Sequence, residues 1–566
     1  MRGWDKLDVI LFTGDAYVDH PSFGAAVIGR VLEADGFRVA IVPQPNWRDD
    51  LRDFRKLGVP RLFFGISGGC MDSMVNHYTA NKRLRSDDAY TAGNTAGFRP
   101  DDAITVYSRT LKNLFPQTPV IIGGIEASLR RLTHYDYWRD TLKPSILLES
   151  GADLLVYGMG EHVIRKIARY LHEGKTITQL DYIPQTAFIT ENLSFIKCGK
   201  SDLMLHSYEN CLKDKRKFAE NFCRIETESN KMYAARLIEP VEGKLAVVNP
   251  PEYLLDENDI DFAFDLPYTR LPHPRYREKP IPAFEMIKFS VNIHRGCFGG
   301  CSFCTISAHQ GKFVASRSEN SILSEIQQVR QMPDFKGYLS DLGGPSANMY
   351  RMKGRDAGLC GKCSRYSCIY PTLCRNLNNS HSSLLTLYGK VRKMEGIKKV
   401  CIGSGIRYDL FMNAKGFLSR EHAHYFDELL QHHVSGRLKV APEHCSPRVL
   451  KAMRKPDFDI FLKLKEEFDR IDRVKTLRQQ LVPYFISSHP DCAENDMRQL
   501  TEIMWRLRFN RLEQVQDFTP TPMTLASVMF YCGFDPYTGK KLYVARRKEE
   551  KLKQKDCFNF NDASKT

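Results

Sequence analysis

The stretch Ile287–Cys304, IKFSVNIHRGCFGGCSFC, decides the fold of the second half of this 566-residue chain. Its first seven residues alternate apolar and polar side chains, and a period of two is typical of a β-strand. The strand leads into a glycine-rich loop that carries Cys297, Cys301 and Cys304. In (β/α) barrels the reactive groups lie at the carboxyl ends of the strands. The stretch therefore predicts the first strand of an α/β domain, with a site in the loop that follows.

The three cysteines have the spacing C-x3-C-x2-C. Thiolates are the natural ligands of a [4Fe–4S] cluster. Three ligands leave one of its four irons free to bind the amino and carboxylate groups of S-adenosylmethionine (SAM). Gly296, Gly299 and Gly300 allow the loop to turn tightly. The alternatives are a zinc site completed by His294 and a set of buried free thiols.

Further apolar runs, separated by helix-like segments, follow this strand. Strand candidates are Gly337–Leu342, Lys399–Gly403, Leu438–Pro442 and Gln480–Ile486, with a helix over Asp457–Ile471. Repeated β–α units of this length predict a partial (β/α) barrel of the TIM type. We assign residues 283–545 to this domain, with a cysteine-rich insertion near residues 355–376, and residues 546–566 to a basic tail.

The first 200 residues also alternate strands and helices. Strands are expected at Val9–Thr13, Arg38–Val42, Arg61–Ile66, Val120–Ile122 and Leu154–Tyr157, and a helix is expected from an N-cap at Ser22. This alternation predicts an open parallel, Rossmann-like sheet with helices on both faces. Ligands bind such sheets at the carboxyl edge. Residues 201–282, charged and then proline-rich, are interpreted as a linker or insertion.

The motif C-x3-C-x-F-C after a first barrel strand resembles the signature of the radical SAM superfamily. Five segments extend the resemblance over nearly the whole chain: GDAYVDHPSFGAAVIGR, MDSMVNHYTANKRLRSDDAY, GGIEASLRRLTHYDYW, HRGCFGGCSFCTISAHQGK and QDFTPTPMTL. Together they resemble the YgiQ family of radical SAM proteins. The resemblance implies an enzyme with a [4Fe–4S] cluster on Cys297, Cys301 and Cys304. Such an enzyme cleaves SAM reductively and directs a 5′-deoxyadenosyl radical at a substrate that the sequence does not identify.

The superfamily pattern also implies which residues contact SAM. Phe303 would pack on the adenine. Gly343 and Gly344 stand in a Gly-Gly-Pro segment after a strand and would contact the amino group of the methionine moiety, although the segment also fits an ordinary turn. Ser404 and Arg407 follow another strand and resemble a ribose or carboxylate contact.

Glu443 and His444 follow a third predicted strand. Their position would let both side chains face the cavity of the barrel. The alternative is a structural pair held by a salt bridge. The residues alone do not identify a catalytic acid or base.

A second group of cysteines, C-x2-C-x4-C-x5-C, lies in the segment LCGKCSRYSCIYPTLC. Its members are Cys360, Cys363, Cys368 and Cys374. Four soft ligands in one short segment are typical of a zinc site or an auxiliary iron–sulfur cluster. The alternative is a reduced loop without metal. Because the segment closely follows the Gly-Gly-Pro motif, we predict that it lies near the active face, where a bound metal would shape the substrate entrance.

An open parallel sheet before a radical SAM barrel invites comparison with cobalamin-binding domains. These domains often show D-x-H-x-x-G after the first strand. Here Asp19 and His20 are adjacent and Gly24 follows, so the spacing departs from that pattern. Gly123 and Gly124 stand where a second nucleotide-loop contact is expected. We favour a substrate or partner domain of the same fold over a cobalamin domain.

Bulk composition limits the class of protein. Hydrophobic residues make up 42% of the chain, and we find neither a run of 18 apolar residues nor a secretory signal. We therefore expect a cytoplasmic protein without a membrane partner. In that compartment the 16 cysteines are not expected to form disulfides.

The net charge of +15 is compatible with an RNA substrate but does not show one, and we favour a solvated basic surface without a dedicated partner. The main functional hypothesis is a radical SAM enzyme served by a flavodoxin- or ferredoxin-type reductase. A variant is an RNA-modifying methylase or methylthiolase. The alternative from another class is a non-catalytic iron–sulfur protein for electron transfer or redox sensing. The three-cysteine motif argues against it, because electron-transfer clusters usually have four protein ligands.

Overall fold

The computed structural model describes residues 3–192, 202–413, 415–416, 418–509 and 515–558. The chain forms two compact units. Unit 1 comprises Met1–Lys288, Ala308–Gln310 and Thr521–Met523, and unit 2 comprises Phe289–Ser307, Gly311–Pro520 and Thr524–Thr566. Among the described residues, no helix is long and apolar enough to cross a membrane.

Unit 1 is built on a large, mainly parallel sheet. Its strands are β1 (Val9–Thr13), β2 (Val39–Pro43), β3 (Phe63–Ser67), β4 (Val120–Gly123), β5 (His134–Asp136), β6 (Thr141–Lys143), β7 (Leu154–Val156), β8 (Thr186–Thr190), β9 (Asp202–Met204), β10 (Arg236–Val241) and β11 (Lys244–Val248). The sheet order is β2-β1-β3-β4-β7-β8-β11-β10-β9, and β5 pairs with β6 separately. Strands β2, β1, β3, β4 and β7 are mutually parallel. This confirms the predicted parallel sheet.

Helices cover both faces of this sheet. They are α1 (Gly24–Ala34), α2 (Arg52–Arg55), α3 (Ser73–His77), α4 (Ala103–Leu114), α5 (Gly124–Leu129), α6 (Ile146–Ser150), α7 (Glu161–His172), α8 (Tyr208–Lys213), α9 (Lys215–Ser229), α10 (Glu257–Phe264) and α11 (Pro282–Ile287), with 3-10 turns at Ala92–Asn94, Ile177–Leu180 and Pro274–Tyr276. Val9 and Leu11 of β1 pack in one apolar cluster, whereas Ile10 and Phe12 pack in another. A strand that buries both of its faces lies in a sheet with helices on each side.

Two expectations for unit 1 are corrected. Residues 202–248 do not form a linker, because β9, β10 and β11 extend the sheet, and β11 pairs antiparallel with β8. The charged sequence of α9 led to the linker prediction, because this helix buries only one stripe of side chains. The strands that follow it bury Ile238 and Val247 completely. Helix α1 is preceded by Phe23, without a side-chain cap, rather than by Ser22.

Unit 2 is a partial barrel whose strands pair in parallel, apart from one short antiparallel pair. Its strands are β12 (Ser290–Asn292), β13 (His294–Arg295), β14 (Ala315–Ser316), β15 (Tyr338–Leu339), β16 (Asp341–Gly343), β17 (Lys399–Val400), β18 (Arg437–Glu443), β19 (Gln480–Ser487) and β20 (Val515–Asp517). The pairs β12–β16, β15–β17, β18–β19 and β19–β20 are all parallel, the pair β13–β14 is antiparallel, and a parallel bridge joins Ile406 to Val440. The predicted strand from Ile287 is shorter than expected, because Ile287 ends α11.

Helices alternate with these strands around one apolar core. They are α12 (Ile306–His309), α13 (Glu319–Arg330), α14 (Ala357–Gly361), α15 (Ser382–Arg392), α16 (Arg420–Glu428), α17 (Pro447–Met453), α18 (Phe458–Lys475), α19 (Glu494–Arg506), α20 (Leu525–Cys532) and α21 (Lys548–Asp556), with a 3-10 turn at Tyr408–Leu410 and a π-turn at Leu429–His433. The expected basic tail is part of the unit as far as it is described, since α21 buries Lys551 and Gln554. Residues 559–566 lie outside the described residues.

Candidate cluster and cofactor site

The cysteine loop begins where β13 ends, and two glycines shape it. Gly296 and Gly300 have φ angles of +85° and +65°, values that side chains with a Cβ rarely adopt. A Cβ at Gly300 would lie 2.5 Å from the backbone oxygen of Tyr366. The loop therefore needs glycine at both positions.

The three thiols of the loop lie close enough to affect one another. They are partly buried and not in disulfides. Burial, together with the neighbouring thiols of Cys301 and Cys297, raises the pKa of Cys304 to about 12, and burial also raises the pKa of Cys297. Three thiolates gathered in this way need positive charge beside them, and a bound metal centre supplies it.

The three thiols suit two kinds of metal centre. In a [4Fe–4S] cluster each cysteine binds a different iron, whereas a zinc ion needs its sulfur ligands at about 2.3 Å from one point. Among the described residues, no three His, Cys, Asp or Glu side chains are placed to hold a single metal ion.

A buried arginine, Arg407, donates a hydrogen bond to the cysteine loop. Arg407 Nη1 donates to Cys301 Sγ at 3.1 Å, while Nε and Nη2 donate to the two carboxylate oxygens of Asp409 at 2.9 and 2.5 Å. Burial opposes the charge of Arg407, but Asp409 and Cys301 outweigh it and raise the pKa of the guanidinium. Arg407, expected to contact SAM, is thus bound to a cluster-ligand candidate. Sequence reasoning missed Asp409, although it lies only two positions away.

The Gly-Gly segment lies against a buried histidine. Gly343 ends β16, and its carbonyl accepts from Ile293 N–H at 2.8 Å. A Cβ at Gly344 would lie 2.5 Å from His294 Cε1. Burial lowers the pKa of His294 to about 4, so the ring is neutral. His294 therefore explains the glycine at 344.

Ser404 is tied to the neighbouring strand by a half-buried aspartate. Asp341 accepts from the backbone N–H groups of Gly403 and Ser404, at 2.8 and 3.1 Å, and from the Ser404 hydroxyl. Burial raises the pKa of Asp341 against these donors. The loop after β17 is thereby held beside the end of β16. Ser404 and Gly343 are brought together, since a Cβ at Gly343 would lie 3.0 Å from Ser404 Oγ.

Glu443 and His444 do not form a pair with each other. Glu443 has a φ of +69° at a register shift in β18, which re-aims its side chain. It lies 3.7 Å from Lys455 Nζ. His444 Nδ1 accepts from the N–H groups of Cys445 and Ser446, so this histidine caps a turn. His444 therefore does not face the cavity as a free side chain.

Phe303 packs edge-on against His489, with ring centroids 6.1 Å apart. His489 also contacts the Ser302 hydroxyl at 3.1 Å through Nε2. Burial lowers the pKa of His489 to about 3. The aromatic side chain predicted to meet the adenine is thus positioned by a neutral, buried imidazole that sequence reasoning did not single out.

The second cysteine group is attached to the first loop. Cys368 N–H donates to Phe298 O at 3.1 Å, and Ser367 Oγ donates to Gly299 O at 2.8 Å. Burial raises the pKa of Cys368 to about 11, and Cys374 adds to the shift. The segment is therefore adjacent to the cluster loop.

Asp19 and His20, whose spacing departs from the cobalamin pattern, do not have the hydrogen bonds of a histidine that ligates cobalt. Asp19 accepts from Arg30 at 3.0 and 2.5 Å and from Thr269 N–H at 2.8 Å. His20 Nδ1 accepts from Ser22 N–H at 3.1 Å, which leaves the proton on Nε2. A cobalt ligand needs an unprotonated Nε2, so these residues do not fit a histidine-ligated cobalamin.

Comparison with known proteins agrees with this fold. The model of the family "Radical SAM N-terminal" matches residues 1–290, and a domain of unknown function, DUF3362, matches residues 513–565. A UPF0313 protein of Bacteroides thetaiotaomicron is 59% identical over 99% of this chain and 92% of its own length. A UPF0313 protein of Methanocella arvoryzae is 46% identical over 99% of this chain and 91% of its own length.

One solved structure resembles the whole chain. It is the radical SAM methyltransferase TsrM from Kitasatospora setae, with cobalamin and a [4Fe–4S] cluster bound. The TM-score is 0.53 at 13% identity, and the likeness covers 99% of this chain and 90% of TsrM. At that identity the likeness shows the fold alone. The chain therefore belongs to the UPF0313 family, carries the Radical SAM N-terminal domain and is an enzyme of the radical SAM class.

Proposed function

We propose that the protein holds a [4Fe–4S] cluster on Cys297, Cys301 and Cys304 and uses it to cleave SAM reductively. The observation that carries the proposal is the loop itself, in which glycine turns gather three partly buried thiols directly after the first barrel strands. When bound, the cluster supplies the electron that breaks a carbon–sulfur bond of SAM, giving methionine and a 5′-deoxyadenosyl radical for attack on substrate.

The chain's own residues have separate tasks in this proposal. Arg407 donates to Cys301 and places a positive charge beside the three thiolates. Asp409 orients the guanidinium through two hydrogen bonds. Hydrogen bonds to cluster sulfurs raise the reduction potential of iron–sulfur centres, so Arg407 would make the cluster easier to reduce.

Phe303, Gly343, Gly344 and Ser404 are the proposed contacts for SAM. Their support is positional, since the carboxyl ends of barrel strands are where such folds bind ligands. The Gly343 carbonyl keeps one lone pair beside its bond from Ile293. Gly344 has no side chain to obstruct a ligand.

We also propose an auxiliary iron–sulfur cluster on Cys360, Cys363, Cys368 and Cys374. The four thiols interact electrostatically, and their segment is bonded to the first cluster loop. Zinc on the same four thiols is the alternative, since both centres take cysteine ligands. Changing all four cysteines to alanine should lower the iron and sulfide bound per chain after reconstitution. Unchanged iron content would refute the second site.

The reaction takes its electron from outside the chain, and we propose a flavodoxin- or ferredoxin-type donor. The cluster thiols must stay reduced, so we place the protein in the cytosol. An RNA-modifying form of the same chemistry is the second proposal, supported by the net charge of +15.

The decisive experiment reconstitutes the protein with iron and sulfide without oxygen, reduces it, adds SAM and measures 5′-deoxyadenosine. The test variant replaces Cys297, Cys301 and Cys304 with alanine. The matched control is Cys401→Ala, which removes another half-buried thiol of unit 2. Product in the wild type and control, but not in the triple variant, supports the proposal. Product at equal rates in all three proteins would overturn it.

A further inference from the structure

Arg131 is a buried cation in unit 1. It follows α5 and is 4% exposed. Its Nη1 donates to the backbone oxygen of Ser128 at 2.5 Å, and its guanidinium lies 4.7 Å from the centre of the Tyr157 ring. Among the described residues, its buried Nε has no hydrogen-bond partner. A carbonyl and an aromatic ring fix the position of this side chain without neutralising its charge.

Two other buried arginines of unit 1, Arg130 and Arg99, are paired with carboxylates. Arg130 forms an ion pair with Asp72, and Arg99 forms ion pairs with Asp15 and Asp88 at 2.8 and 3.4 Å. Arg131 has no such partner within the described ranges, and burial lowers the pKa of its guanidinium with only the Tyr157 phenol opposing the shift. A buried, unpaired charge is strongly unfavourable. The exception at Arg131 therefore needs an explanation.

The position of Arg131 supplies one. Strand β7 lies beside β4 in the parallel sheet, and Tyr157 and Gly158 directly follow β7. Gly158 N–H donates to Ser128 Oγ at 3.0 Å, so the end of α5 lies over the carboxyl end of β7. This edge is where parallel α/β sheets bind ligands. The Tyr157 ring is itself held by its hydroxyl, which donates to Asn249 O at 2.6 Å.

We propose that Arg131 anchors a binding site for an oxyanion, a carboxylate or phosphate group carried by a ligand at this edge of the unit 1 sheet. The planar guanidinium presents donors in a fork that matches both groups. Ligand binding supplies the missing negative charge and occupies the free Nε–H. The inference does not rest on the proposed cluster chemistry, because all of its residues belong to unit 1.

The test measures anion binding to the full chain by equilibrium dialysis and by thermal unfolding. The probes are inorganic phosphate and malonate, with sodium chloride at matched ionic strength. The variants are Arg131→Met and Arg131→Lys. The control is Arg169→Gln on α7, which removes an arginine whose side chain is 60% exposed.

Wild type and Arg169→Gln should bind about one anion per chain and gain thermal stability as it saturates. Arg131→Met should lose that binding, and Arg131→Lys should bind at least tenfold more weakly, because it lacks the fork. In chloride alone, Arg131→Met should unfold no earlier than the wild type, since it removes an unpaired charge. A response to phosphate alone assigns a phosphoryl ligand, and a response to malonate alone assigns a carboxylate.

Two results would overturn the proposal. One is saturable binding that is equal in wild type and Arg131→Met. The other is no saturable binding of either anion to the wild type, together with earlier unfolding of Arg131→Met in chloride, which would show a purely structural role.

Discussion

Replacing Arg407 with glutamine is expected to lower the free energy of unfolding of the cluster-free protein by about 3–5 kcal/mol. Arg407 is 8% exposed, and it donates to both oxygens of Asp409 and to Cys301 Sγ. The substitution leaves the Asp409 carboxylate buried without its cation. This residual charge, rather than the lost contact with Cys301, accounts for most of the expected loss.

The double variant Arg407→Gln/Asp409→Asn separates these contributions. It removes both charges, so most of the lost stability should return. The assay is urea unfolding of the cluster-free chain, with Arg470→Gln as the control. Arg470 forms an ion pair with Glu467 and its side chain is 61% exposed, so its loss should cost only about 0–1 kcal/mol. Equal destabilisation of the single and double variants would refute the reasoning.

The pH dependence of this effect has a definite sign. Burial would raise the pKa of Asp409, but Arg407 outweighs burial and holds the pKa below its usual value. A carboxyl group with a lowered folded pKa stabilises the protein above its unfolded pKa, about 3.9. That stabilisation is lost as the pH falls through the folded value. In Arg407→Gln burial is no longer outweighed, so the folded pKa of Asp409 rises above its usual value. The deficit should therefore be largest when the pH is above that raised pKa, and it should shrink as the pH falls from there towards the low folded pKa of the wild type.

Three further predictions concern Gly344, His444 and His20. Gly344→Ala should lower the free energy of unfolding by about 1–3 kcal/mol, because the added methyl group crowds His294. The control Gly389→Ala, in open space within α15, should raise it by about 0.5–1 kcal/mol. Equal urea midpoints for the two variants would contradict the crowding. Burial lowers the pKa of His444 to about 4, so protonation of this side chain destabilises the fold as the pH falls below about 6.5, by about 3 kcal/mol at pH 4. In His444→Asn the free energy of unfolding, measured with urea, should depend less on pH between about 6.5 and 4. An unchanged pH dependence in the variant would exclude this contribution of His444. Any cobalamin bound to the protein should show the same absorbance spectrum in wild type and His20→Ala, because Nδ1 of His20 accepts a hydrogen bond; a spectral shift in the variant would identify His20 as a cobalt ligand.

Strands with a clear apolar pattern could be predicted from sequence with good accuracy. Strand β1 was predicted at the bounds the structure has, and β18 and β19 were placed within about one residue at either end. A continuous buried run carries the signal in β1, whereas alternation of buried and more exposed residues marks β18 and β19. The signal failed for β9 to β11, which lie beside a charged helix, and for the start of the barrel, where the period-two pattern at Ile287 belongs to the end of α11.

In the candidate site, too, the sequence predicts the local features but not the contacts between distant residues. The spacing of Cys297, Cys301 and Cys304 and the glycines between them are local, so the sequence alone determined that three thiols share one loop. The contact between Arg407 and Cys301 joins residues 106 positions apart. The contact between Ser404 and Asp341 joins residues 63 positions apart. Both contacts depend on the order of the barrel strands.

The sequence by itself therefore determined the fold class, the cysteine loop and the chemistry that such a loop supports, because these follow from short-range spacing and apolar periodicity. Only the tertiary structure decided which charges are compensated. Arg407 contacts Asp409 and Cys301, and Glu443 lies beside Lys455. Arg131 is buried against the Tyr157 ring and the Ser128 carbonyl. The physical reason is that a charge pair depends on distance and burial in three dimensions, and strand order sets both.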